Sequence, residues 1–505
     1  MRTQKMRTQK SIVLVTVDCL RADHVGFMGY ERPTSPFLDS LASESFVVPT
    51  AIVAGAPTYY SFPAILASRY PLALGRDVLG LGPDEPTLAS VLRQAGYATA
   101  SFGAANPYIS SRFGYEHGFD TFRDFLGDEP APLSDEKANA ANSNGWASRL
   151  NRKLQKNRPA LGPLGMVYDE LYFEYCQRVT PVPDSLDALR RFPSADVIVD
   201  HTCTWLSSIG DAPFFLWLHL MDPHSPYYPK DAALTLMGQG PVTTYRARYL
   251  NSWWNRSDLG LRRVAHHRDE IVGLYDAGIR WVDTQMARLT ETLRGAKRWD
   301  DCIFAFTADH GEEFLDHGGR YHPPSRLMEE LIRVPLLLRV PGSEKRDVGK
   351  SPFSMVHLAP TLLHAAQLPV PADFQGRSHW EQLRRGGSFD GVAISECVAG
   401  CTNPFRWENR MGPRVLSVRE SRYKLVLHFD PPAENLYDLE ADPGEQAPLA
   451  SEVQKPVRRR LLEIAREHLR RSSEQRDSRT RVQTCLRELR LEWKKPGDKA
   501  SPVAS

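Results

Sequence analysis

The residues best suited to chemistry stand together at Thr307-Ala308-Asp309-His310-Gly311-Glu312, followed by Asp316-His317-Gly318 and Tyr321-His322. Adjacent aspartate and histidine offer hard oxygen and borderline nitrogen to one divalent ion. The apolar run Ile303-Phe304-Ala305-Phe306 before them reads as a buried strand. Gly311 then lets the backbone turn sharply. In open α/β sheets ligand sites lie just beyond the carboxyl ends of strands, which is where this pair falls. Alone, such a pair reads more simply as a capped turn with surface charge.

Two further strand ends carry similar clusters. The run Ile12 to Val17 ends in Asp18-Cys19-Leu20-Arg21-Ala22-Asp23. Asp18 is a second candidate ligand there, while Arg21 and Asp23 fix the loop. The run Phe214 to Leu218 ends in His219-Leu220-Met221-Asp222-Pro223-His224. Between them lies Ala56-Pro57-Thr58-Tyr59-Tyr60-Ser61, a hydroxyl just ahead of a helical stretch whose free N–H groups favour an anion.

The elements that must position these residues alternate. Helices are expected over 37–43, 87–95, 195–207, 268–294 and 358–363, and strands over 97–102 and 334–340. The 268–294 helix has one apolar face through Ile271, Leu274, Ile279, Val282, Met286, Leu289 and Leu293. This order predicts an α/β fold, a doubly wound mixed sheet flanked by helices. From about residue 391 the texture changes to short alternating strands and an Arg-rich helix over 456–471, a small C-terminal α+β subdomain. The expected division is a catalytic domain over 11–388, the subdomain over 389–472 and a charged tail over 473–505. Residues 127–183 break the alternation and read as a surface excursion or lid over the site.

Across 505 residues the chain is 42% hydrophobic and 25% charged, with a formal charge of +2. That balance argues against nucleic acid as a partner. Seven scattered cysteines form no disulfide framework and point to a reducing compartment. The N-terminal apolar run is too short for a signal-peptide core, and no stretch reaches the ~20 apolar residues of a membrane span. A cytoplasmic protein acting on a small-molecule ester is expected.

Taken together, the clusters resemble the sulfatase family of the alkaline phosphatase superfamily. Asp18 through Gly26 with Gly29-Tyr30 resembles its first metal loop, and Thr58 through Arg69-Tyr70-Pro71 its nucleophile segment. Asp222-Pro223-His224-Ser225-Pro226-Tyr227 resembles its substrate-side histidine motif, and Ala308 to Glu312 its second metal loop. Asn435-Leu436-Tyr437-Asp438-Leu439 with Asp442-Pro443-Gly444-Glu445 resembles its C-terminal subdomain. The likeness implies hydrolysis of a sulfate or phosphate ester at one divalent ion (Mn, Ca, Mg or Zn). Asp18, Asp309 and His310 would hold the ion, with Thr58 as nucleophile and further ligand. His224 and His322 would be catalytic groups facing the transferred group or the leaving oxygen.

The departures from the family are chemical. Its nucleophile starts as Cys or Ser and is oxidised to an aldehyde, a route closed to Thr58. Phe62 stands where the family has Arg, Ala104 and Asn106 where it has Lys and His, and Cys19 where it has a second Asp. Asn106 could donate to a substrate oxygen. Ser61 is the alternative nucleophile, and His317 more simply orients its loop through Asp316 or the backbone. A second metal would need another ligand set, for which Asp222, His224 and His322 are candidates. A threonine ester of phosphate can be cleaved by water, whereas a sulfothreonine has no diol route for expelling sulfate. A phosphate or phosphonate ester is therefore preferred over a sulfate ester. The alternatives are a sulfatase proper, a lipid-headgroup transferase (whose relatives carry membrane spans) and a binding protein that keeps the fold without activity.

Overall fold

The computed structural model describes residues 9–127 and 163–472, apart from 347, 388 and 390. The parts of the 127–183 excursion before residue 163, and the 473–505 tail, lie outside the described residues. Of the excursion, 163–179 forms a helix, Pro163–Val179.

A seven-stranded sheet carries the site. Its strands are β1 (Ser11–Val17), β2 (Phe46–Val47), β4 (Ala98–Gly103), β5 (Thr121–Arg123), β6 (Phe214–Leu220), β7 (Cys302–Ala308) and β11 (Leu336–Arg339), in the order β2-β11-β7-β1-β6-β4-β5. From β7 to β5 every pairing is parallel, while β11 near one edge runs antiparallel to both its neighbours, β7 and β2, so the sheet is mixed. β1, β6 and β7 are buried along their whole length, as expected for near-continuous apolar runs covered on both faces.

Three smaller sheets complete the strands. β3 (Ala51–Ile52), β10 (Arg333–Val334) and β12 (Phe353–Ser354) form one, and β8 (Glu313–Phe314) pairs with β9 (Arg320–Tyr321). The C-terminal sheet is an antiparallel meander of β13 (Val392–Val398), β14 (Arg414–Glu420), β15 (Tyr423–Phe429) and β16 (Pro432–Asp438), followed by a helix over 455–472. The expected 334–340 strand is thus two strands in two sheets. Pro335 removes a ladder donor and divides them.

Helices flank the main sheet in two packing groups. Arg268–Gly295 packs on Pro36–Leu41 and Ala195–Ser208. Thr58–Ala67 packs on Leu88–Gln94 and Leu358–Ala365. The latter group includes the helix that opens with Thr58, every residue of which is buried. No helix among the described residues is long and apolar enough to cross a membrane.

Candidate active site

Register brings the site together. Val17 of β1 is level with Leu220 of β6 and Ala308 of β7, so Asp18, Met221 and Asp309 leave the sheet side by side. The Asp18 N–H continues the ladder by donating to the Leu220 carbonyl at 2.8 Å. Asp18, Asp309 and His310 are completely buried, and Thr58 nearly so.

His310 is the hub. Its Nδ1 is 2.8 Å from the Gly311 carbonyl, so Nδ1–H donates there and Nε2 keeps its lone pair. That Nε2 lies 3.2 Å from Thr58 Oγ1 and 3.5 Å from both Asp18 Oδ1 and Asp309 Oδ2. Burial, then the neighbouring His322 ring, push the His310 pKa down to about 4, so the imidazole is neutral. Burial, then the Asp18 charge, push the Asp309 carboxyl well up. For Asp18 burial also works upward, but His224, His219 and His310 outweigh it and hold the carboxyl well below its ordinary value.

These residues fit a divalent cation. Asp309 Oδ2 is buried with no hydrogen-bond partner, a costly state unless a cation faces it. Two carboxylates, one neutral imidazole nitrogen and a hydroxyl form an oxygen-rich set with one nitrogen, open to Mg, Mn, Ca or Zn. Thr58 is the first residue of its helix, so the first-turn N–H groups lie beside its hydroxyl.

Two partly exposed histidines stand beside this set. His224 holds the Ser225 carbonyl through Nδ1, and its ring centroid is 5.3 Å from that of His322. The His322 ring lies tilted against His310, centroids 4.6 Å apart, with Nδ1 3.1 Å from Glu312 Oε2 and 3.3 Å from Cys19 Sγ. Burial lowers the His322 pKa, but the Glu312 charge and hydrogen bond raise it above the ordinary histidine value.

Other expectations are redirected. Asn106 donates from Nδ2 to Asp18 Oδ2 at 2.8 Å, and its Oδ1 accepts the Tyr108 N–H. Ser61 donates to the Thr58 carbonyl at 3.1 Å, inside the helix. Asp222 accepts from Arg190 at 2.8 Å and from the Ala195 N–H at 3.0 Å, which commits both its oxygens away from any ion. His317 pairs with Glu330 at 2.7 Å and the Glu445 carbonyl rather than Asp316, which instead binds Arg21. Arg21 also pairs with Asp23 and the Glu312 carbonyl, fixing the loop. Gly311 has no left-handed φ. It is needed because a Cβ there would lie 1.9 Å from the Glu330 carbonyl. Phe62 packs edge-on to His219 and against Trp217, filling its place with an apolar ring.

Two buried groups stand in the sequence clusters without a role assigned there. His219 sits 3.3 Å from Asp18 Oδ2 and 3.0 Å from Thr16 Oγ1. Its alternation inside an apolar strand was the available signal. Glu312 is fully buried beside His322, and only its place in the Asp309 loop hinted at that.

The sulfatase family model matches residues 10–368, and the model for the C-terminal part of N-sulphoglucosamine sulphohydrolase matches residues 320–472. An arylsulfatase from Clostridium perfringens (strain 13 / Type A) is 22% identical over 481 residues, 86% of this chain and 89% of that protein. The multifunctional alkaline phosphatase superfamily protein PehA from Trinickia caryophylli is 21% identical over 494 residues, 88% and 92% of the two chains. Among solved structures, the phosphonate monoester hydrolase of Agrobacterium radiobacter superposes with a TM-score of 0.62 at 19% identity, covering 92% of this chain and 96% of that one. With a family match across most of its length, this chain belongs to the sulfatase family of ester hydrolases, on the alkaline phosphatase superfamily fold.

Proposed function

We propose that the chain hydrolyses a phosphate or phosphonate ester at one divalent cation held by Asp18, Asp309, His310 and Thr58, with Thr58 as nucleophile. The observation that carries this reading is the convergence of Thr58 Oγ1, Asp18 Oδ1 and Asp309 Oδ2 on His310 Nε2 at 3.2–3.5 Å, with Asp309 Oδ2 otherwise unpartnered. The cation, when bound, lowers the pKa of the hydroxyl and offsets charge on the substrate oxyanion.

Thr58 loses its proton to solvent, and its oxygen forms the new bond to phosphorus as the bond to the departing alcohol breaks. His224, partly exposed beside His322, is the acid for that alcohol. His322 faces the transferred group. Water then cleaves the phosphothreonine at phosphorus and returns the hydroxyl. Asn106 and His219 hold the Asp18 carboxylate in orientation.

The preference for phosphorus rests on the threonine and on Phe62 and Ala104, which leave uncharged two places where the family binds sulfate with cations. A relative named for several activities and a structural neighbour named for phosphonates are consistent with it. The second reading, a sulfuric ester hydrolase, is favoured by the arylsulfatase relative and by a choline-sulfatase from Rhizobium meliloti (strain 1021), 32% identical over 278 residues. Six free cysteines among the described residues support a reducing, cytoplasmic setting.

The test is metal analysis of the purified protein beside turnover of aryl phosphate, phosphonate monoester, phosphodiester and aryl sulfate. Phosphorus-ester turnover that disappears in Thr58→Ala is expected. Turnover of sulfate alone would overturn the preference. Absence of bound metal together with no effect of Thr58→Ala would leave only a binding protein.

A further inference from the structure

Beside the ligand set of the proposed function lies a second, softer one. Cys19 takes a left-handed backbone, φ 61°, immediately after Asp18, a conformation uncommon outside glycine and asparagine. Its Sγ lies 3.3 Å from His322 Nδ1 and 3.1 Å from Asp18 Oδ1. His322 Nδ1 is in turn 3.1 Å from Glu312 Oε2. Cys19, His310 and His322 form one group of potential ligands with donor atoms within 4.8 Å of one another, and Asp18, Cys19 and His224 form another.

Donors on a tetrahedral ion with bonds of about 2.0–2.3 Å are separated by about 3.3–3.7 Å. The Cys19–Asp18, Cys19–His322 and His322–Glu312 spacings, 3.1–3.3 Å, lie at or just below that range. Ordinary hydrogen bonds could also set such distances, but they leave one buried carboxylate oxygen of the group, Glu312 Oε1, without a donor. Asp18, Asp309 and Glu312 are all completely buried. Their polar side-chain partners are histidines, Cys19, Asn106 and Thr58, none of them Lys or Arg. The third, Glu312, keeps Oε1 buried with no hydrogen-bond partner. A buried carboxylate oxygen left without a partner is costly.

We propose that Cys19, His322 and Glu312, sharing Asp18 with the first set, form a second cation site that takes a zinc-class ion through thiolate sulfur. The inference rests on the first site being a metal site. Thiolate, imidazole and carboxylate are the ligands Zn favours, and sulfur disfavours Mg and Ca. The thiol releases its proton to solvent as the ion binds. His322 gives Nδ1 to the ion and keeps Nε2 for the substrate. Cys19 then stands in the family's acidic position as an anion of different softness, which makes the pair of sites hetero-selective.

The probe is Co²⁺, whose bond to a thiolate absorbs in the near ultraviolet. Full-length protein stripped with chelator and reloaded should take up two Co²⁺ per chain and show that band. Cys19→Ser should lose the band and one of the two ions, and Glu312→Gln should lose the same ion. Asp309→Asn should lose one ion and keep the band. Circular dichroism checks that each variant is folded, and Glu312→Gln decides the matter if Cys19→Ser is not. One ion without the band overturns the second site and leaves the proposed function standing. One ion with the band also overturns it, by assigning the thiolate to the first set. Two ions that survive Cys19→Ser overturn it as well. No ion in the wild type defeats both this inference and the metal-dependent reading.

Discussion

His310 donates Nδ1–H to its own loop, leaving one nitrogen lone pair, and that lone pair faces Thr58 rather than Ser61. Thr58→Ala should therefore lower kcat on the preferred ester by on the order of 10³-fold or more. Ser61→Ala should stay within about twofold, because its hydroxyl serves only the helix backbone. Steady-state kinetics of the two variants on one substrate separate the candidates. Threonine 58 could be singled out as the candidate because the family resemblance counts it back from Arg69-Tyr70-Pro71. Glu312 and His219 could not, because their partners, His322 and Asp18, are set by pairing between strands far apart in the chain. His317 gives a pH prediction. The hydrogen bond and charge of Glu330 outweigh burial and raise its pKa to about 9. The folded state thus keeps a proton that the unfolded chain sheds near 6.5. Its stabilisation is complete below about pH 6.5 and is lost as pH rises through about 9, by at most roughly 3 kcal/mol. Denaturant midpoints between those pH values should fall in the wild type, and Glu330→Gln should flatten the fall.

At the scale of elements, the helix Arg268–Gly295 presses against the turn that carries His224. A Cβ at Gly278 would lie 2.6 Å from the Asp222 carbonyl. Gly278→Ala must push that turn outward, so it should cost about 1–3 kcal/mol and lower kcat, the two read by chemical denaturation and by kinetics. A wild-type kcat with unchanged stability would show that the turn is free to yield. The helix itself was plain in the sequence, since its apolar spacing persists for more than twenty residues. The main buried strands were plain too, as uninterrupted apolar runs ending in polar clusters. What local pattern could not supply was partnership. Residues 334–340 read as one strand, yet Arg333–Val334 pairs with β3 and Leu336–Arg339 with β7. β13 carries Glu396 in its interior, a charge made tolerable only by His468 and Arg414 from other elements.

Over the whole molecule, the C-terminal sheet is bound to the catalytic loops by buried charge. Lys424 of β15 is completely buried, 2.7 Å from Glu445 and 3.4 Å from Glu329, and Arg419 of β14 also pairs with Glu329. Glu445 accepts the Glu329 N–H, and its carbonyl meets His317. Lys424→Met would strand these carboxylates and should cost about 3–5 kcal/mol. Adding Glu445→Gln should restore part of that, and an additive pair of thermal shifts would show the network is not coupled. The sequence announced the sheet through its alternating strands, but not its attachment, which depends on which charges meet after folding. The level register of β1, β6 and β7 has a further consequence, for chain length. A residue inserted into the connections that enter these strands leaves the ladder intact at Val17, Leu220 and Ala308. One inserted within a strand turns every side chain after it to the opposite face, and would dismantle the centre without altering a single residue that composes it.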